Sequence, residues 1–322
     1  MPSTPAASRP TEFLQRPSAA TQALRDELAL GLAQPQPAIA PKFLYDALGS
    51  KLFEAITELD EYYPTRTEAL ILEHHRDGLA QACGTGHTLV DLGAGNCTKA
   101  ARLFDVLRPS RYVAVDISVD FLHRALHELQ ARYPQLPMLG VGLDFSAALE
   151  LPPQAGNGRR LMFYPGSSIG NFSPDAAVGF LRRVREAAPD GGLLIGVDLV
   201  KPAALLQRAY DDALGVTAAF NLNLLRHVNR LLGSDFDVAQ WQHVALFDAA
   251  HSRVEMHLQA RCDLQVRWPG GHLTRRAGER VLTEHSCKYT VEGFDQLLRR
   301  AGYARTRCWT DPQRWFAVFV AH

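Results

Sequence analysis

Between residues 87 and 199, short apolar runs alternate with amphipathic helical patterns, and this alternation constrains the fold more than any other feature of the chain. The runs of β type lie at 87–92, 111–115, 138–141, 160–164 and 193–199, and helical patterns at 99–107, 119–133 and 175–188 separate them. A continuous apolar run suits a strand buried on both faces, and strands joined through helices run parallel. The expected fold class is therefore α/β, with a Rossmann-like parallel sheet covered on both sides.

The flanking segments read differently. Residues 1–18 carry Pro2, Pro5, Pro10 and Pro17 without apolar periodicity, and a poorly ordered tail is expected there. Amphipathic helices are predicted over 21–32 and 43–56, and a further helical stretch over 68–81. Beyond Lys201-Pro202 the pattern turns helical over 203–232. It then alternates in the manner of antiparallel strands over 244–268, with a turn at Pro269-Gly270-Gly271. A helix over 291–301, ended by Gly302, precedes strands at 304–309 and 315–320 joined by Thr310-Asp311-Pro312. These boundaries divide the chain into a tail (1–18), an inserted α+β cap domain for substrate (19–64 plus 202–285) and a core (65–201 plus 286–322).

Composition removes several function classes. With 34 basic and 34 acidic residues there is no positive surplus for a phosphate backbone, so no nucleic-acid partner is expected. No apolar run approaches the ~18 residues that span a bilayer, so no membrane role is expected. Five scattered cysteines without CxxC spacing predict free thiols in a reducing cytoplasm. The 12 histidines show no ligand spacing, so no metal site is expected. No placed Cys/His pair is evident, and no covalent nucleophile is expected. The partner expected is a small molecule, and the chain a monomer.

The chemistry starts at Asp91-Leu92-Gly93-Ala94-Gly95, a turn between the first of the alternating strands and a helix. In a doubly wound sheet such a turn sits at the carboxyl end of a strand, where ligands bind, and glycine lets the backbone approach them. Thr98 stands where the dinucleotide fingerprint has its third glycine, which counts against NAD. Asp116 ends the next strand and suits a ribose diol; Asp144-Phe145 follows the third and suits an adenine. Helix capping would account for either acid alone, but less well for both. Lys99 opens the following helix, as a solvated lysine or as a group reaching a ligand carboxylate.

Four runs carry a resemblance: Phe43-Leu44-Tyr45-Asp46-Ala47-Leu48-Gly49-Ser50, Glu61-Tyr62-Tyr63-Pro64-Thr65-Arg66, Gly166-Ser167-Ser168-Ile169-Gly170-Asn171 and Thr283-Glu284-His285-Ser286-Cys287-Lys288-Tyr289. They are similar to the histidine Nα-methyltransferases of ergothioneine biosynthesis, over nearly the whole chain after about residue 35. The resemblance implies S-adenosyl-L-methionine as cofactor and three successive methylations of the α-amine of L-histidine, giving hercynine. It implies that Gly93, Lys99, Asp116, Asp144 and Phe145 hold the cofactor. Asn171 and Tyr210 would grip the substrate carboxylate, and Met256 would lie beside the ring. Tyr62 or its neighbour Tyr63, with Glu284 and Ser286, would read the imidazole. The alternative is a relative acting on another amino acid, such as tryptophan or tyrosine.

That chemistry is self-consistent. Methyl transfer from a sulfonium is an in-line displacement that needs positioning more than a nucleophile. An aromatic pocket suits the growing quaternary ammonium. Glu284 can accept from a neutral imidazole or pair with an imidazolium, and Ser286 can serve either way.

Overall fold

The apolar runs do pair as a sheet. A computed structural model describes residues 11–15, 21–146 and 148–322. Its strands in chain order are β1 (Glu12–Gln15), β2 (Thr88–Leu92), β3 (Arg111–Asp116), β4 (Met138–Gly142), β5 (Arg160–Tyr164), β6 (Gly192–Asp198), β7 (Trp241–Asp248), β8 (Arg253–Ala260), β9 (Leu264–Trp268), β10 (Gly271–Arg275), β11 (Arg280–Cys287), β12 (Thr306–Thr310) and β13 (Phe316–Ala321). The helices are α1 (Thr21–Leu32), α2 (Ala47–Thr57), α3 (Tyr63–His74), α4 (Arg76–Cys83), α5 (Thr98–Ala101), α6 (Phe104–Leu107), α7 (Val119–Arg132), α8 (Pro174–Ala187), α9 (Ala203–Tyr210), α10 (Val216–Leu232) and α11 (Val291–Arg300).

The main sheet has the order β1-β4-β3-β2-β5-β6-β13-β12. Pairing is parallel from β1 through β6, and antiparallel between β6 and β13 and between β13 and β12. The α/β, Rossmann-like reading holds. Strand order reverses between β2 and β5, so the crevice for a ligand opens at the carboxyl ends of those strands. Every residue of β2 and of β6 is buried, as an apolar run between two helical layers requires.

A second unit is antiparallel, with sheet β11-β8-β7 and the hairpin β9-β10. Its apolar cluster draws Leu28, Phe43, Leu44 and Tyr63 together with Leu206, Phe220, Trp241, Met256 and Val281. After β11 the chain runs into the main sheet. Tyr289 bridges Leu199: the Tyr289 N–H donates to the Asp198 carbonyl at 3.1 Å, and the Val200 N–H donates to the Tyr289 carbonyl at 2.9 Å. Among the described residues no helix is long and apolar enough to cross a membrane.

Several local expectations change. Glu12–Gln15, inside the segment expected to be a poorly ordered tail, is an edge strand parallel to β4, with Phe13 beside Gly140; the rest of that tail expectation, 1–10 and 16–18, lies outside the described residues. The helix expected from 43 starts at Ala47, because Asp46 caps it by accepting from Gly49 N–H at 2.7 Å. The helix expected from 68 starts at Tyr63, with Pro64 in its first turn, where a missing N–H costs nothing. The stretch 203–232 breaks into α9 and α10, since the Asp212 carboxylate accepts from Val216 and Thr217 N–H and starts a new helix. The pattern over 99–107 likewise splits into α5 and α6.

Candidate active site

The glycine turn leaves β2 at the switch point. Gly93 has φ +74°, a left-handed conformation that favours glycine, and its N–H donates to the Val115 carbonyl at 2.8 Å. Asp116, at the end of β3, accepts from Gly95 N–H at 2.9 Å on one carboxylate oxygen and from Ser118 N–H at 2.8 Å on the other. Each oxygen keeps a lone pair, which is what a cis-diol needs. Burial raises the Asp116 carboxyl above its ordinary range, against the pull of those amides. Asp91 lies beneath the turn, bonded to the Tyr112 hydroxyl at 2.8 Å and pushed up to about 7 by burial.

Asp144 and Phe145 follow β4. Phe145 faces Gly93 and meets Tyr164 edge-on, with ring centroids 5.8 Å apart. One oxygen of Asp144 accepts from Ser146; the other takes Lys42 Nζ at 3.0 Å, which also pairs with Glu27 at 2.7 Å. Burial alone would raise the Asp144 carboxyl, but Ser146 and Lys42 outweigh it and hold the group low. Lys99 is half-buried and ion-paired rather than free. Its ammonium lies 2.8 Å from Glu68, whose other carboxylate oxygen accepts from Gly166 N–H at 2.8 Å. Gly196 makes room for this pair, since a Cβ there would fall 2.0 Å from the Glu68 carboxylate.

The second half of the site lies where β11 meets the ends of β5 and β6. Glu284, Ser286 and Lys288 alternate along one face, as side chains two residues apart in an extended chain must. Glu284 is only 9% exposed and has no hydrogen-bond partner among the described residues. Burial pushes its carboxyl up to about 7, against the pull of Lys288. A register shift between Leu282 and Glu284 sets it opposite Met256 on β8. The turn that ends in Asn171 abuts Ser286, and the half-buried Asn171 amide has no protein partner among the described residues. Tyr62 packs edge-on against Tyr210 and Phe53, and burial raises its hydroxyl well above the ordinary range.

Tyr63 belongs elsewhere. It is fully buried, and its hydroxyl donates to the Asp198 carboxylate at 2.7–2.9 Å. Of the two candidate tyrosines, only Tyr62 packs its ring against Tyr210. Below lies a charged cluster that sequence reasoning missed. Asp198, at the end of β6, pairs with Lys201 at 2.5 Å and with Lys288 at 2.8 Å. Burial would raise Asp198, but the two ammoniums hold it below the ordinary range. Burial lowers Lys201 to about 8. Glu68 and Lys42 were also missed. Only Lys288 had a readable signal, the Glu284–Ser286–Lys288 alternation.

Sheet order, glycine turn and strand-end acids together define a class, the Rossmann-like S-adenosylmethionine-dependent methyltransferases. A family model described as histidine-specific methyltransferase, SAM-dependent, matches residues 24–322. The chain is 41% identical over 309 residues to the histidine N-alpha-methyltransferase of Mycolicibacterium smegmatis, covering 94% of this chain and 95% of that protein. It is 42% identical over 306 residues to that of Mycobacterium tuberculosis, covering 93% and 94%. With ergothioneine biosynthesis protein 1 of Neurospora crassa it shares 32% identity, over 83% of this chain and 31% of that longer protein. The chain belongs to the histidine-specific, S-adenosylmethionine-dependent methyltransferase family.

Proposed function

We propose that this enzyme transfers three methyl groups in succession from S-adenosylmethionine to the α-amine of L-histidine, giving hercynine. The observation that carries the reading is Glu284, an almost buried carboxylate without a donor. Burying such a group unpaired is costly, and an imidazole N–H answers it. The two mycobacterial relatives, named histidine N-alpha-methyltransferases, support histidine as the substrate and its α-nitrogen as the acceptor.

The cradle's residues fit the cofactor. The free lone pairs of Asp116 would take the ribose hydroxyls; Asp144 and Phe145 would flank the adenine. Gly93 would let the backbone close on the ligand, and the Lys99–Glu68 pair would meet the zwitterionic amino-acid end. Bound there, the cofactor supplies an electrophilic methyl on a sulfonium. Asn171 and Tyr210 would fix the substrate carboxylate, and Glu284 and Ser286 the ring, with Met256 packed beside it. The Tyr62 face would favour the growing quaternary ammonium. An α-amine titrates near 7.7–8.0 in peptides, so water suffices to take its proton. On this reading the antiparallel unit, 19–64 plus 202–285, is the substrate cap on a core of 65–201 plus 286–322. We read the enzyme as a cytoplasmic monomer, the cytoplasmic part supported by the scattered cysteines without CxxC spacing.

Mass spectrometry of products from a panel including histidine, tryptophan and tyrosine tests the assignment. Mono-, di- and trimethylated histidine are expected, and Glu284→Ala should abolish histidine turnover while keeping cofactor affinity. Methylation of tryptophan or tyrosine in preference to histidine, or unchanged histidine affinity in the variant, would reject it.

A further inference from the structure

The Lys288 ammonium is fully buried and uses its three N–H groups on three oxygens. These are Asp198 Oδ2 at 2.8 Å, Tyr210 Oη at 2.9 Å and Ser286 Oγ at 2.9 Å. An ammonium only donates. Both hydroxyl oxygens therefore accept from Lys288, and each hydroxyl's own proton points away from it. Among the described residues neither proton has a protein acceptor, so both are left for whatever occupies the pocket.

We propose that Lys288 sets the hydrogen-bond polarity of the substrate pocket, making Ser286 and Tyr210 donors and so admitting only the neutral imidazole ring. This rests on the histidine reading above. The ring's N–H goes to Glu284, its unprotonated nitrogen to the Ser286 hydroxyl, and the Tyr210 hydroxyl to the substrate carboxylate. An imidazolium carries two N–H donors. One would pair with Glu284; the other would meet the Ser286 proton, with the Lys288 charge directly behind it. Lys288 is thus a positioning residue that acts through two hydroxyls.

Every ionisable group around the site is compatible with this. Glu284 is coupled to Tyr45, Tyr62, Tyr210 and Lys288, and burial raises all three tyrosines. Lys288 itself sits among Asp198, Tyr210 and, through Asp198, Tyr63 and Lys201. Burial would lower Lys288, but Asp198 more than offsets it and keeps the ammonium charged. Lys201, brought down to about 8, loses its proton first, so the polarity at Ser286 persists as pH rises.

Hercynine provides a clean probe, because its quaternary ammonium cannot titrate. Calorimetry with the S-adenosylhomocysteine-loaded enzyme near pH 6.5, in buffers of different ionisation heat, counts the protons exchanged on binding. At that pH about half of a free imidazole is charged, and a carboxyl near 7 is mostly protonated. Neutral-ring binding should then release roughly one proton or slightly more, whereas imidazolium binding should release close to none. In Lys288→Met the release should fall toward the imidazolium value, and Ser286→Ala should weaken binding at least tenfold. Near-zero release by the wild type overturns the proposal, whether or not Lys288→Met folds; so does equal release by a folded Lys288→Met. If hercynine does not bind at all, the histidine reading fails and this inference goes with it.

Discussion

Glu284→Gln isolates the cost of keeping a donorless carboxylate in the pocket. The Glu284 carboxyl rises from 4.5 to about 7 on folding, chiefly through burial. The folded state therefore holds a proton that the unfolded chain has released. The associated stability is complete below about pH 4.5 and is lost as pH rises through about 7. At ~1.36 kcal/mol per pH unit, the loss is about 3 kcal/mol by neutral pH. Glutamine keeps the shape and never ionises. Urea unfolding of wild type and variant, followed by circular dichroism near pH 4.5 and near pH 8, should show similar stability at the acid end. At the alkaline end the variant should be more stable by about 3 kcal/mol. Saturating histidine should narrow the gap, because only the wild type binds it tightly. A variant no more stable than wild type near pH 8, or a difference independent of pH, would refute the reasoning.

Asp198→Asn leaves Lys201 and Lys288 buried without their counter-charge and should cost roughly 3–5 kcal/mol; an unchanged thermal midpoint would contradict the cluster's role. Gly196→Ala sets a Cβ against the Glu68 carboxylate and should pull it from Gly166 N–H and Lys99. S-adenosylhomocysteine binding, by calorimetry, is expected to weaken at least tenfold, and wild-type affinity would detach the Glu68–Lys99 pair from the cofactor. Asp116→Asn turns one carboxylate acceptor into a donor and should weaken cofactor binding about 10- to 100-fold, at 1.5–3 kcal/mol per charged hydrogen bond. Retained affinity would exclude Asp116 as the diol partner.

The five central strands were legible because a strand buried on both faces is written as an uninterrupted apolar run, and the terminal hairpin because Thr310-Asp311-Pro312 punctuates it. β1 was not legible. A four-residue strand among prolines owes its form to the free edge of β4, a partner more than a hundred residues away. The break between α9 and α10 was hidden because the apolar stripe continues through the Asp212 cap. Within the site, strand-end residues such as Gly93 and Asp116 could be read from position alone. Glu68 and Asp198 could not, because a carboxylate in a helix or at the end of a buried strand has no meaning until its partner is known. Lys99 and Lys288 are those partners, 31 and 90 residues away. Tyr62 and Tyr63 were indistinguishable as neighbours, since only the helix start at Tyr63 decides which ring turns toward Asp198.

The passage of the chain from β11 into the main sheet bears on how the protein comes apart. Lys288 bonds at once to the end of β6, to α9 and to β11, and Tyr289 then pairs with the backbone at 198–200. Loosening the antiparallel unit by itself would expose a buried ammonium and break a ladder that belongs to the other sheet. The antiparallel unit and the main sheet should consequently melt as one cooperative unit. In native-state hydrogen exchange, the amides of Tyr289 and Val200 should open only with the whole molecule, so that β11 cannot fray without unfolding the main sheet.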